Sequence, residues 1–302
     1  MRAIAGSMKT VFAAVVVATV VATPARGGVL FDNGPVVTNP TGGTGTIAGQ
    51  PISSPQGIPS SPPGGPTGYT SGVGASWNEN VRVADDFIVL GDGWDLDAVS
   101  LFAFQSGATG PTVTHAYINL WTAAPYSSNS PPPLPDPLPQ PVLLSSLEVP
   151  VSSSQFVAYR QTSTGTSSST RPIYRYDFSL DGLPNAGLLS PGAYWLEWSL
   201  LGTGTAGTSA GRVWVPPVAP RESAPNLNAR VFAAIDGNPS TPYSWFEGRE
   251  IQWVQSGTSW TGQFVQPYAL PFVLHGTVVP EPGTLGSLLA SVLLLTRRRR
   301  VV

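Results

Sequence analysis

The chain has 302 residues, only 11% of them charged, with 33 glycines, 32 prolines and no cysteine. Without cysteine there can be no disulfide, metal–thiolate site or cysteine nucleophile, so the fold must rest on its apolar core. Between Gly28 and Val278 there are 16 acids against 8 arginines, a net charge of −8, which argues against nucleic acid as a partner.

Residues 1–28 read as a secretory signal peptide. Arg2 and Lys9 are basic, residues 11–22 are an unbroken run of apolar and small side chains, and Thr23-Pro24-Ala25 offers a small-residue cleavage context. The run is too short for a spanning helix, so cleavage is expected rather than anchoring. Met8 opens a complete signal peptide by itself and is a candidate start codon.

The body, residues 29–278, carries 9 Trp, 9 Tyr and 11 Phe among frequent Gly and Pro, which predicts aromatic strands separated by turns. A first strand ends at the Asn33-Gly34 turn. Residues 35–74 are rich in Gly, Pro, Ser and Thr without apolar periodicity and are expected to form a long flexible loop. Residues 81–90 predict a strand containing the pair Asp85-Asp86. Gly91-Asp92-Gly93 makes a turn, and residues 94–104 alternate through a second strand. A further strand covers 116–121.

Residues 125–141 include Ser-Pro-Pro-Pro-Leu-Pro-Asp-Pro-Leu-Pro-Gln-Pro, a polyproline II excursion that serves as a capping loop or a Pro-rich ligand. Strands follow at 142–151 and 156–160, a Ser/Thr-rich loop at 162–170, and strands at 173–180 and 192–200. After a Gly/Thr turn region at 201–211, strands at 212–215, 229–235 and 264–279 complete the sheets. Ten to twelve strands with no amphipathic helix predict an all-β domain, a β-sandwich of jelly-roll or lectin-like type.

The tail, residues 279–302, has three parts. Val279-Pro280-Glu281-Pro282 is extended, because each proline fixes φ and removes a donor. Residues 285–296 are apolar, uncharged and helix-compatible. Arg297, Arg298, Arg299 and Arg300 then form a block that resists crossing a bilayer. At about 1.5 Å per residue the apolar run would span about 18 Å, against a hydrocarbon core of about 30 Å. Such a helix is strained as a permanent anchor and better suited to transient insertion.

This order of Pro-Glu-Pro motif, short apolar helix and terminal arginines resembles the PEP-CTERM sorting signal of Gram-negative bacteria. The resemblance implies export through the inner membrane and transient residence in it. It also implies processing near Pro280–Pro282 by an exosortase-type membrane protease, and delivery to the cell envelope or extracellular matrix. In the body, three stretches resemble exported PEP-CTERM proteins. They are Ala84-Asp85-Asp86-Phe87 with the glycine turn and Trp94-Asp95-Leu96-Asp97, residues 116–121, and residues 270–276. This second resemblance implies a β-sandwich of unassigned activity, in a setting where exopolysaccharide is a partner class.

Chemistry in the body is weighed residue by residue. A nucleophile triad needs a histidine, and only His115 and His275 exist, both in predicted strands without a Gly-x-Ser-x-Gly turn. A glycosidase needs paired carboxylates. Glu197 stands between Trp195 and Trp198, while Glu247 and Glu250 lie among Trp245, Phe246 and Trp253, but strand alternation groups aromatics by default. Asp92, Asp95 and Asp97 are the weak candidates for Ca²⁺, since their spacing is not that of an EF-hand loop. Asp85 and Asp86 must face opposite sides of their strand, one of them buried against Arg82 or a backbone turn. Trp77, Trp121, Trp214 and Trp260 could stack on sugar rings or belong to a Trp-rich core. The expectation is a non-enzymatic exported protein without a cofactor. The alternative is a carbohydrate-binding module using surface aromatics, with structural calcium.

Overall fold

Alternating side chains along residues 82–89 and 94–103 give each strand two faces, and the Gly91-Asp92-Gly93 turn carries the chain from one sheet to the other. A computed structural model describes residues 27–42, 49–54, 72–125, 141–161, 167–183, 188–204, 211–218, 229–234, 243–247, 249–256 and 259–279. The strands are β1 (Gly28–Asp32), β2 (Ile52–Ser53), β3 (Val73–Gly74), β4 (Arg82–Val89), β5 (Trp94–Ala103) and β6 (Val113–Trp121). Next come β7 (Leu143–Pro150), β8 (Ser153–Gln161), β9 (Ser167–Ser179), β10 (Leu188–Leu189), β11 (Gly192–Gly202) and β12 (Trp214–Val215). The last are β13 (Arg230–Ala234), β14 (Tyr243–Glu247), β15 (Arg249–Ser256), β16 (Ser259–Pro267) and β17 (Phe272–Val278). One 3₁₀ turn, Trp77–Glu79, is the only helical element among the described residues. No helix among them is long and apolar enough to cross a membrane.

The protein is all-β, with two sandwich-like sheets. One has seven strands in the order β1-β17-β5-β9-β8-β2, with β10 beside β5. The other has six, in the order β14-β13-β4-β11-β6-β7. Two further two-stranded pairs are β12–β3 and β15–β16. Four of the antiparallel pairs nest inside one another: β1 with β17, β4 with β11, β5 with β9, and β6 with β7.

Between the sheets lies one continuous core. Val83, Phe87 and Val89 of β4 and Leu196, Trp198 and Leu200 of β11 meet Val99 and Leu101 of β5, Tyr176 and Phe178 of β9, and Phe272 and Leu274 of β17. The sheets touch directly where Trp198 meets Phe272 edge-on, with ring centroids 5.8 Å apart. Each such large apolar side chain contributes about 1.5–3 kcal/mol by leaving water.

Several expectations need correction. Residues 35–74 are not simply a loop. Val36 is buried, Ile52 exchanges backbone hydrogen bonds with Thr38 and Asn39, and β2 pairs in parallel with β8. Backbone pairing there needs no apolar alternation, so periodicity gave no sign of it. Residues 167–170 belong to β9 rather than to a loop. The region 264–279 holds the end of β16 and then β17, separated by a break at residues 268–271, and the hairpin β15–β16 and strand β14 are additional. The 126–140 part of the Pro-rich stretch, the expected signal peptide up to residue 26, and residues 280–302 with the expected C-terminal helix all lie outside the described residues.

Both ends of the body leave from one place. β1 opens at Gly28, and the Gly27 N–H donates to Asp97 Oδ2 at 2.6 Å. β17 ends at Val278, and the Val279 N–H donates to the Gly93 carbonyl at 3.0 Å.

Candidate functional site

The outer face of the six-stranded sheet collects the aromatic and charged side chains that the core excludes. Because Leu196 and Trp198 point inward, Trp195, Glu197 and Ser199 point outward. The registers place Glu197 beside Ala84 of β4 and Asn119 of β6, and Trp195 beside Asp86 and Trp121. On the other side, Phe232 of β13 stands opposite Arg82 of β4 and Trp245 of β14.

These neighbours form one network. The Arg82 guanidinium reaches Glu197 Oε1 at 3.0 Å, and the Trp121 indole Nε1–H donates to Glu197 Oε2 at 2.7 Å. Arg82 also lies over the Phe232 ring, 3.9 Å from its centroid, and faces Trp245 at 5.6 Å. Phe232 packs on Trp245 and Tyr243 at 5.3 and 5.8 Å. Glu197 is 1% exposed. Each of its oxygens accepts from a donor, so it ties together two aromatic-backed groups. Further along the same face, Trp77 stacks on Tyr117 with ring planes 9° apart. Desolvation and the Glu148 carboxylate push the Tyr117 phenol above its ordinary value.

Sequence reasoning singled out Glu197, Trp77 and Trp121 but not that they share a face, nor that Arg82, Phe232 and Tyr117 join them. Alternation from Trp195 to Glu197 was the available signal; the cross-strand register was not. Of the two partners expected for the buried aspartate, Arg82 pairs instead with Glu197, while backbone N–H groups reach Asp85. Trp214 is elsewhere, half-buried beside Phe102 and Phe104 under Arg212. The side chains of Glu247, Glu250, Trp253 and Trp260 lie outside the described residues.

A second cluster sits on the outer face of the seven-stranded sheet. Ser100 Oγ is 2.7 Å from Asp177 Oδ1 and 2.9 Å from His275 Nε2, with Arg175 3.2 Å from the same Asp177 oxygen and Ser153 donating to Oδ2. The residue types are those of a hydrolytic triad, but their order is wrong. An ionised carboxylate only accepts, so the single Ser100 proton goes to Asp177, and His275 Nε2 must then donate to Ser100. In a hydrolytic triad the histidine accepts the serine proton, so this order of donors differs from that of a triad.

Asp85 and Asp86 are both buried, Asp85 between the sheets and Asp86 on the outer face beside Trp195. Asp85 Oδ2 accepts from Asn33 Nδ2 at 2.8 Å and from the Leu270 N–H at 2.6 Å, while Oδ1 accepts from the Asp86 N–H at 2.9 Å. Asn33 Nδ2 also donates to the Leu270 carbonyl. Full burial nevertheless holds the Asp85 carboxyl well above the ordinary carboxylate range, with the Leu270 N–H pulling the other way. The cluster ties the end of β1, strand β4 and the approach to β17.

Asp92 lies in the exposed turn after β4, and Asp95 is exposed in β5. Asp97 is committed to the Gly27 N–H. No group of three or more potential ligands that could hold a metal ion occurs among the described residues. Of the expected sorting signal, Val279 is placed at the Gly93 carbonyl, while Pro280, Glu281, Pro282 and Arg297, Arg298, Arg299 and Arg300 lie outside the described residues. No protein-family model matches this chain, and neither the curated proteins nor the solved structures include a match.

Proposed function

We propose that the chain is an exported, non-enzymatic jelly-roll protein, sorted to the cell envelope or extracellular matrix by a PEP-CTERM tail. The observation that carries the sorting reading is the order of Pro280-Glu281-Pro282, the apolar run 285–296 and four arginines at the end of the chain. It is supported by the way β17 ends at Val278 and Val279 is tied to Gly93, so the last strand stops directly before the motif. The jelly-roll reading is supported by the four nested antiparallel pairs, the pattern made by folding a long hairpin over itself. The non-enzymatic reading is supported by the engaged Glu197 and by the proton order at Ser100. An exosortase-type membrane protease is the partner this requires.

Intact mass of the mature protein from its native host, beside a variant with Pro280, Glu281 and Pro282 changed to alanine, tests the sorting reading. Loss of the residues beyond the motif in the wild type alone is the expected result. An unprocessed tail in both proteins rejects it.

A second reading, a carbohydrate-binding role for the body, is favoured by the outer face of the six-stranded sheet. Trp77, 38% exposed, and Trp121 stand on that face with Asn119 and Ser199 between them. Tyr117, beneath Trp77, and Trp121 are four residues apart on one strand, a span of about 13 Å. Titration with neutral polysaccharides, comparing wild type with a Trp77→Ala/Trp121→Ala variant, tests it. Binding lost in the variant supports the reading, and equal binding or none rejects it.

A further inference from the structure

The end of the sandwich from which the tail departs carries exposed apolar side chains. Leu90 is 67% exposed, Leu188 66% and Val278 56%. They surround one turn. Leu90 precedes Gly91-Asp92-Gly93, and the first two residues of β5 after that turn, Trp94 and Asp95, are paired with Val278 on one side and Leu188 on the other. Two strand spacings place Leu188 and Val278 about 10 Å apart. Val142, 56% exposed, opens β7 toward this same end, since its neighbour Leu143 pairs with Trp121, Trp121 with Trp195, and β11 begins three residues earlier. Exposed large apolar residues gathered at a rim, rather than scattered singly, call for a partner.

We infer that this end seats in the headgroup layer of the bilayer that the C-terminal tail enters, an inference that rests on the sorting reading above. Five residues, Pro280 to Thr284, separate Val279 from the apolar run. Fully extended they reach at most about 17 Å. Headgroups occupy about 5–7 Å on each side of the hydrocarbon core. Val278 is seven residue steps from Leu285, about 24 Å at full extension, so it is held within about 18 Å of the headgroups whenever the tail is inserted. The N-terminal end of the body leaves from the same end, at Gly27 beside Asp97. Exposed Asp92 and Asp95 stand among the apolar residues. The matching surface is therefore a zwitterionic one, whose ammonium groups can meet those carboxylates, and not a strongly anionic one.

The cysteine-free chain makes the test direct. Leu90→Cys and Thr109→Cys full-length proteins, each labelled with a polarity-sensitive fluorophore, are reconstituted into phosphatidylcholine vesicles carrying headgroup-level nitroxide quenchers. Thr109 is exposed in the loop after the far end of β5, about 30 Å away along the strand. Near-UV circular dichroism matching the unlabelled protein establishes that both variants fold. The expected result, in protein that floats with the vesicles, is quenching at residue 90 at least two-fold stronger than at residue 109. Equal, weak quenching at both sites in co-floating protein overturns the membrane-seated rim while leaving the sorting reading intact. Failure to float rejects tail insertion, and the inference falls with it.

Discussion

The Arg82 guanidinium and the Glu197 carboxylate, 3.0 Å apart, form an ion pair set among the aromatic side chains of the outer sheet face. The glutamate is almost wholly buried, whereas the arginine side chain is 27% exposed. Removing the acid therefore strands two donors, the arginine and the Trp121 N–H, and water can reach only one of them well. Glu197→Ala is expected to lower stability by about 2 kcal/mol, below the range for a fully buried pair because of the arginine's exposure. Glu197→Gln keeps an acceptor for Trp121 and is expected to lose about 1 kcal/mol. Urea unfolding of the two variants checks this, and equal losses would place the weight on charge alone.

Asp85 sets a pH dependence of unusual sign. Its folded-state carboxyl holds its proton to higher pH than the unfolded chain does, because burial dominates. As pH rises above about 4, the unfolded chain releases this proton first, so the unfolded state gains and stability falls until the folded group also titrates. Wild type is expected to lose stability from this residue as pH rises above about 4, and Asp85→Asn to flatten that part of the curve. Stability against pH for both proteins gives the answer. A steeper curve in the variant would mean that the three N–H donors, not burial, govern the group.

The all-β class and most long strands were legible in alternation. Residues 192–200 and 94–104 are the clearest examples, because inward Leu196 and Trp198 or Val99 and Leu101 recur every second residue. Register was not legible, and the site depends on register. Nothing near Ser100 in sequence points to Asp177 or His275, which arrive on β9 and β17. Asn33 reads as a turn residue, yet its amide reaches Asp85 across 52 positions of chain. Strand β2 was missed for a different reason: its two residues are held by backbone bonds, which leave no mark in the side-chain pattern.

The Ser100 cluster makes a negative prediction that can fail clearly. Ser100 is 1% exposed and gives its proton to Asp177. A fluorophosphonate probe followed by peptide mass mapping is expected to leave Ser100 unlabelled, and Ser100→Ala is expected to lower stability by about 1–2 kcal/mol through the lost hydrogen bonds. Labelling at Ser100 would show an activated nucleophile and reverse the reading of the proton order.

The two glycines of the Gly91-Asp92-Gly93 turn separate two reasons for needing glycine. Gly91 has φ of +68° and open space where a Cβ would stand. Gly93 has φ of +115°, and a Cβ there would overlap the Leu189 carbonyl oxygen of β10. At residue 91 only backbone conformation is at stake, so Gly91→Asn is expected to cost under about 1 kcal/mol, asparagine being tolerant of the left-handed region. At residue 93 conformational strain adds to a collision with backbone that is itself paired to β5. Gly93→Ala is expected to cost about 3 kcal/mol, and to displace β10 and the Val279 contact that depends on the Gly93 carbonyl. Amide exchange at Val279 reads the local effect while urea midpoints read the global one. A Gly93→Ala protein no less stable than Gly91→Asn, with Val279 still protected, would show that the β5–β10 contact yields and that this turn does not hold the exit of the tail in place.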